Sequence, residues 1–260
     1  MGHFNVLIKP VPRVERVSSF PEPQKQSFPK PRKAVPPPPL TPYVPNKSQT
    51  MFSEQTYIRP SFVDEIGGWT WPTSDSGAWD GPSREWDETH RDGYLRYVRN
   101  RNVVVQAGGN CGLYPRLFAK YFKTVYTFEP DALNFYCLVN NCQLPNIIKF
   151  NAALGASSGM VNVNKAGPAN VGMHTVQENP VGFIPQVAID SLGLPECDLI
   201  QLDVEGYEPK VIQGALDTIR KFRPVISCEN GGSVWSVLTD LGYKQAEIVG
   251  SDTIFVPTDL

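Results

Sequence analysis

From residue 102 onward the chain alternates between two kinds of segment, and this restricts the fold more than any other feature. Short runs rich in β-branched and aromatic residues lie at 102–106, 124–128 ("TVYTF"), 147–151 ("IIKFN"), 198–203 ("DLIQLD") and 225–229 ("VISCE"). Helical patterns occupy 113–121, 131–142, 209–221 and 233–241 between and after them. In "PKVIQGALDTIRKF", Val211, Ile212, Ala215, Leu216 and Ile219 share one face and Pro209 sits in the first turn, the spacing of an amphipathic helix. Strands alternating with helices predict an α/β fold, a parallel sheet with helices on both faces. The end breaks this rhythm: "YKQAEIV", then Gly250-Ser251-Asp252, then "TIFVP" predicts an antiparallel β-hairpin closing the sheet.

The first strand runs into a glycine-rich turn, "VVVQAGGNCG", and a helix follows it. Such a turn lets backbone approach a ligand closely. It is not the dinucleotide fingerprint, because Asn110 stands where the third fingerprint residue would be, and no Lys-Ser/Thr follows Gly112 to make a phosphate loop. The second strand ends in Phe128-Glu129-Pro130, roughly 20 residues further on, where an acid can accept hydrogen bonds from both ribose hydroxyls. An adenosine-bearing ligand without a bridging diphosphate fits these features, and S-adenosylmethionine is the obvious one. Gly108, Gly109, Asn110, Gly112 and Glu129 are its expected contacts, with Asn151 at the end of the third strand as a further candidate near the adenine.

Taken in order, "VVVQAGGNCG", "VYTFEPDALNFYCLVNN", "NAALG", "LIQLDVEGYEPKVIQGALDTI" and "RPVISCEN" resemble the FkbM-type class I methyltransferases over roughly residues 100–256. The resemblance implies a Rossmann-like seven-stranded sheet, mostly parallel with a reversed last strand. It also implies methyl transfer from S-adenosylmethionine, usually to an oxygen of a sugar or polyketide-like acceptor. The family usually carries Asp where this chain has Gln106, an acid that helps hold the amino group of the cofactor. Gln keeps an acceptor oxygen but loses the charge that makes such a hydrogen bond roughly twice as strong, so weaker cofactor binding is expected.

In "LIQLDVEGYEP" an apolar strand delivers Asp203 at its C-terminal end, with Glu205 two residues later and Gly206 allowing a tight turn. Asp203 is the expected catalytic residue and a cofactor contact, and Glu205 a second catalytic candidate. The next strand ends Cys228-Glu229-Asn230. Asp203, Glu229 and Asn230 together resemble in arrangement the oxygen ligands of metal-dependent catechol-type O-methyltransferases, and such hard ligands suit Mg²⁺. His174 lies between the third and fourth strands, and a neutral imidazole is a suitable acceptor for the proton of an alcohol near pH 7.

Composition sets the boundaries. Residues 1–50 hold eight Lys/Arg against two Glu and twelve prolines, too little apolar surface to fold, and read as a disordered basic arm with an unknown partner. Residues 51–100, with Trp69, Trp71, Trp79 and Trp86, form an aromatic-rich cap segment, and 101–260 the methyltransferase domain. The arm is +6 of a net −2, so the rest is −8, a charge that disfavours nucleic acid as substrate. No apolar run approaches the ~18 residues of a membrane span. Five cysteines without a Cys-x-x-Cys pair suit reduced thiols in the cytoplasm. Two rival functions share this fold: a non-catalytic binding or structural protein, and a nucleic-acid methyltransferase. The latter lacks its Asn/Asp-Pro-Pro-Tyr/Phe motif, since "DVEG" stands there.

Overall fold

The computed structural model describes residues 52–59, 68–75, 84–165, 170–179 and 181–260, all within one of the chain's two units, Pro45–Leu260. The expected disordered arm and Trp79 lie outside the described residues. The first elements are β1 (Thr56–Arg59), β2 (Trp69–Pro72) and α1 (Arg84–Leu95). The βα alternation follows as β3 (Val103–Ala107), α2 (Leu113–Ala119), β4 (Thr124–Phe128), α3 (Ala132–Asn141) and β5 (Ile147–Phe150). Short strands come next: β6 (Ala153–Leu154), β7 (Gly159–Asn164), β8 (Thr175–Glu178) and β9 (Ile184–Val187). The chain ends with β10 (Leu199–Leu202), α4 (Glu208–Gln213), α5 (Leu216–Phe222), β11 (Val225–Glu229), α6 (Trp235–Asp240), β12 (Tyr243–Val249) and β13 (Asp252–Pro257).

Seven strands form the main sheet in the order β12-β13-β11-β10-β3-β4-β5. β3 and β10 are buried at every position, which is why their sequences run apolar instead of alternating, as strands covered on both faces do. β10, β11, β3, β4 and β5 pair in parallel, whereas β13 runs antiparallel to both β11 and β12. This is the predicted sheet with its reversed last strand. Tyr94, Phe118 and Leu138 bring α1, α2 and α3 onto one face, and Val211, Ile219 and Leu238 bring α4, α5 and α6 onto the other.

Two features depart from the sequence reading. The single helix expected over 209–221 is two, divided at Gly214, where a Cβ would stand 2.0 Å from the Gly155 carbonyl oxygen. The Gly214 carbonyl meanwhile accepts the Asp190 N–H at 2.9 Å. The apolar face continues through the break, so periodicity does not reveal it. The long connection after β5 folds into its own four-stranded sheet, β6-β9-β7-β8, built from strands too short to stand out by pattern. Ahead of the main sheet, β2 docks on α3 through Asn141, whose Nδ2 donates to Thr70 O at 2.9 Å while its Oδ1 accepts the Thr70 N–H at 2.8 Å. Trp69 and Trp71 are thereby buried against Cys111 and Cys137. Among the described residues no helix is long and apolar enough to cross a membrane.

Candidate active site

The sheet reverses its direction of growth at β3, with β4 and β5 on one side and β10 and β11 on the other. Open α/β sheets take ligands in the crevice beyond the strand ends at such a point. The turn after β3 is shaped for close approach. Gly108 and Gly112 have φ of 81° and 102°, a region side chains avoid. A Cβ on Gly108 would stand 1.8 Å from the Asp203 carbonyl oxygen, and one on Gly109 2.4 Å from a Leu138 methyl carbon. The Gly108 and Gly109 N–H groups both donate to Phe128 O, at 3.0 and 2.9 Å. Backbone therefore floors the crevice and is locked to β4.

Glu129 follows β4 and faces the crevice. Its Oε2 accepts the Asn110 N–H at 2.7 Å and its Oε1 the Asp131 N–H at 2.8 Å. Burial raises its pKa to about 8, outweighing the opposite pull of those N–H groups. A carboxylate offers about four lone-pair sites, so acceptor capacity remains for a ligand's hydroxyls. Asn151 is turned away from the crevice: its Nδ2 donates to Glu129 O at 2.9 Å and Pro130 O at 3.2 Å, bracing the backbone that carries Glu129.

Gln106 is also turned away, and here the expectation of a weakened cofactor contact needs correcting. Its side chain is fully buried. Nε2 donates to Ala107 O at 3.1 Å and Gly108 O at 2.9 Å, and Oε1 accepts the Thr127 hydroxyl at 2.5 Å. The amide pins the glycine turn and needs its NH₂ to do so. Gln106→Asp is therefore expected to destabilise rather than tighten cofactor binding, since two carbonyls lose their donor and a buried charge is added. A buried unsatisfied group costs about 1–3 kcal/mol, more when charged. A melting scan should show a fall of ~2–4 °C per kcal/mol for a domain of this size. An unchanged melting temperature with tighter cofactor binding would restore the original expectation.

Across the crevice, the Asp203 N–H donates to Ala107 O at 3.1 Å, which sets the end of β10 beside the glycine turn. Glu205 and Gly206 follow with φ of 52° and 90°, so the chain doubles back before α4 and returns Glu205 toward Asp203. Carboxylate oxygens of Asp203, Glu205 and Glu229 lie within 4.8 Å of one another. The Asp203 carboxyl is pushed well above the ordinary range, first by burial and then by Glu229 and Asp252. Glu205 is raised as well, by burial and then Glu229. Asn230, expected as the third metal ligand, takes φ of 51° in the turn after β11 and is not among the residues that line the cavity, whereas Glu205 is. These three carboxylates are the ones a divalent cation would meet.

His174 is positioned elsewhere. Asn170 Oδ1 accepts the Gly172 N–H at 2.8 Å and Asn134 Nδ2 donates to Val171 O at 2.9 Å, strapping this segment across the start of α3. His174 Nδ1 then lies 3.5 Å from Asp131 Oδ2, while Asp131 Oδ1 caps α3 by accepting the Leu133 and Asn134 N–H groups. Burial lowers the His174 pKa against the pull of Asp131, which keeps the ring neutral near pH 7. It thus stands over the Glu129–Asp131 loop, at the end of β4. Asp203 is two strands away, roughly 10 Å at ~4.8 Å per strand.

Together these groups enclose a cavity of about 440 Å³, within the range of small-molecule sites. Asp75, Glu129, Asp203, Glu205 and Glu229 line it, together with His174 and, among the described residues, no Lys or Arg. Sequence reasoning missed Tyr114, Asn134 and Asp75, which line it too, as does Trp71 of the aromatic-rich segment. For Asn134 a signal existed: it is a polar residue one helical turn before Leu138, on the buried side of α3.

The sequence profile of the methyltransferase FkbM domain matches residues 106–244. Among solved structures the chain is similar to methyltransferase FkbM from Methylobacillus flagellatus KT, at 15% identity and a TM-score of 0.45, over 64% of this chain and 47% of that one. It is also similar to a ribosomal protein L11 methylase from Lactobacillus delbrueckii subsp. bulgaricus (8%, TM-score 0.40, 68% and 80% of the chains). A third is the Pyrococcus abyssi tRNA (uracil-54, C5)-methyltransferase in complex with S-adenosyl-L-homocysteine (11%, TM-score 0.43, 78% and 44%). The chain spans about half the length of the FkbM structure it matches. No curated protein sequence matches it. The profile covers more than half of the 260 residues, and with the sheet order and the glycine turn after β3 it settles the family: the chain belongs to the methyltransferase FkbM domain family.

Proposed function

We propose that the chain transfers a methyl group from S-adenosylmethionine to a hydroxyl of a small, uncharged or cationic acceptor such as a sugar. The observation that carries this reading is the cavity at the sheet's switch point, lined by five carboxylates and by no Lys or Arg among the described residues. S-Adenosylmethionine, when bound, supplies an electrophilic methyl group on a sulfonium cation, and an acidic wall favours that charge. The residues present fit it: the glycine turn clears space beside β3, and Glu129 keeps lone pairs for ribose hydroxyls. Asp203, on the far side of the turn and ionised, would take the proton from the acceptor oxygen as that oxygen bonds to the methyl carbon and the carbon–sulfur bond breaks, leaving S-adenosylhomocysteine. Holding the acceptor in line is worth ~7–11 kcal/mol in well-aligned cases. Burial, then Glu229 and Asp252, hold Asp203 at a high proton affinity, which makes it a stronger base once ionised.

The same wall repels phosphate-bearing acceptors, which speaks against nucleic acid. Mg²⁺ has no step in this reading. Five buried free thiols favour a reducing compartment, and we place the protein in the cytoplasm. Titration calorimetry with S-adenosylmethionine is the first test, with saturable one-site binding expected; absence of binding overturns the reading. A methyl-labelled cofactor should then mark neutral hydroxyl compounds in preference to their phosphorylated counterparts. Preference for the phosphorylated forms would overturn the acceptor class. Binding without turnover on any acceptor would favour a non-catalytic role.

A further inference from the structure

We propose that the rim beyond β11, with Trp235 as its platform, is an outer acceptor subsite that takes a second sugar ring. The acceptor is then a neutral oligosaccharide or glycoside rather than a free monosaccharide. The inference rests on the acceptor reading above and names the substrate class within it. Glu229 lines the cavity, and the ten residues that follow it, Asn230 to Thr239, carry no charged side chain. Trp235, the first residue of α6, is 46% exposed. Its ring packs against Phe255 at 5.7 Å and 72° between centroids and planes, which fixes the indole while leaving much of it in solvent. Ile248 on β12 is 60% exposed. Asn230 itself is exposed in a left-handed conformation, one that asparagine tolerates better than most side chains.

Strand pairing locates this platform. Glu229 stands opposite Asp252, and Asp252 opposite Val249. The end of β12 therefore lies two strands beyond Glu229 along the same rim, roughly 10 Å at ~4.8 Å per strand. Ile248 opposes Thr253, and a Cβ on Gly231 would meet both Thr253 and Phe255, so these side chains share the side of the sheet that α6 covers. A sugar ring seated at Asp203 stops short of them, and the next ring of a chain arrives there. What borders the platform is exposed and uncharged: Asn230, Ser233, Ser236, Thr239 and Gln245. Amides and hydroxyls both donate and accept, as sugar hydroxyls require, and an indole gives the apolar C–H face of a sugar a flat surface with a polar N–H at its edge. The lack of charge matches a neutral acceptor. A second copy of the chain extending the sheet fits less well: β12 shifts register between Gln245 and Glu247 and carries Lys244 and Glu247, the devices by which edge strands avoid pairing.

The test follows transfer of a labelled methyl group, by the full chain, to gluco-, manno- and N-acetylglucosamine-configured trisaccharides and to their methyl monoglycosides. The wild-type protein is expected to show a KM ~10-fold or more lower for a trisaccharide than for its monoglycoside, the scale of one aromatic contact and the apolar area it covers. Trp235→Leu keeps an apolar side chain against Phe255 but removes the flat ring. It is expected to raise the trisaccharide KM to about that of the monoglycoside, with kcat and the Kd of S-adenosylhomocysteine moving far less. Trp235→Phe keeps a ring and is expected to retain most of the preference. Equal KM values for the two lengths in the wild-type protein overturn the inference and leave the acceptor reading standing, and so does a trisaccharide preference that survives in Trp235→Leu. Methylation of small neutral alcohols but of no saccharide overturns it too, whereas failure to methylate any neutral hydroxyl compound overturns the acceptor reading itself.

Discussion

Asp203→Asn is expected to lower turnover by ~10²-fold or more, the scale for losing a general base, while cofactor affinity falls far less. The same change is expected to raise the melting temperature. Three carboxylates converge where Asp203 sits, and its folded-state pKa is raised well above the ordinary value by burial, Glu229 and Asp252. A carboxyl raised in this way favours folding while it is protonated; as pH climbs through and beyond its unfolded pKa, the folded state loses stability. Asn carries no charge, so its advantage should be absent near pH 4 and evident at pH 8. A loss of activity coupled to a gain in stability is what a residue strained for function produces. Melting scans at the two pH values check the stability half, and single-turnover rates with an identified acceptor check the other. Full turnover in the variant would remove Asp203 from the chemistry. A lower melting temperature at pH 8 would mean that it is held by partners rather than crowded.

How much of this was legible in the sequence depended on range. The main sheet was, because each strand is a short apolar run between helices, and the reversed β13 was announced by the turn at Gly250-Ser251-Asp252. The groups carried by the strand ends were legible for the same reason: Gly108, Glu129 and Asp203 follow directly from where β3, β4 and β10 stop. What was not legible depends on side-chain direction or on contacts between distant segments. Gln106 directly precedes the first carbonyl its amide reaches, and nothing local says that its Nε2 folds back to donate to Ala107 O and Gly108 O. Asn151 is likewise spent on backbone. Glu205 joins Asp203 only because two left-handed residues reverse the chain, a conformation Gly206 suggests and Glu205 does not. The break at Gly214 falls where Gly155, far away in sequence, packs closely against it, and His174 meets Asp131 through the strap that Asn134 and Asn170 fasten.

Glu129 gives the other large effect. Replacing it with Ala is expected to weaken S-adenosylmethionine by about 1.5–3 kcal/mol, the worth of hydrogen bonds to a charged group, or roughly 10- to 150-fold in Kd. The wild-type site should also show a pH dependence that the variant lacks. In the folded protein burial raises the Glu129 pKa from 4.5 to about 8, so the free site is largely protonated at pH 7. The sign follows from that shift. Without ligand, the stability contributed by this group is full below its unfolded pKa near 4.5 and is lost as pH rises toward 8. Two ribose hydroxyls donating to the carboxylate favour its ionised form, so binding should tighten from pH 6 to pH 9 and release a proton near neutrality. Calorimetry at pH 7 in buffers of different ionisation enthalpy counts that proton: close to one for the wild-type protein and close to none for Glu129→Ala. Binding that is flat between pH 6 and 9 with no proton released would show that Glu129 is already ionised in the free site or is not the group the ribose meets.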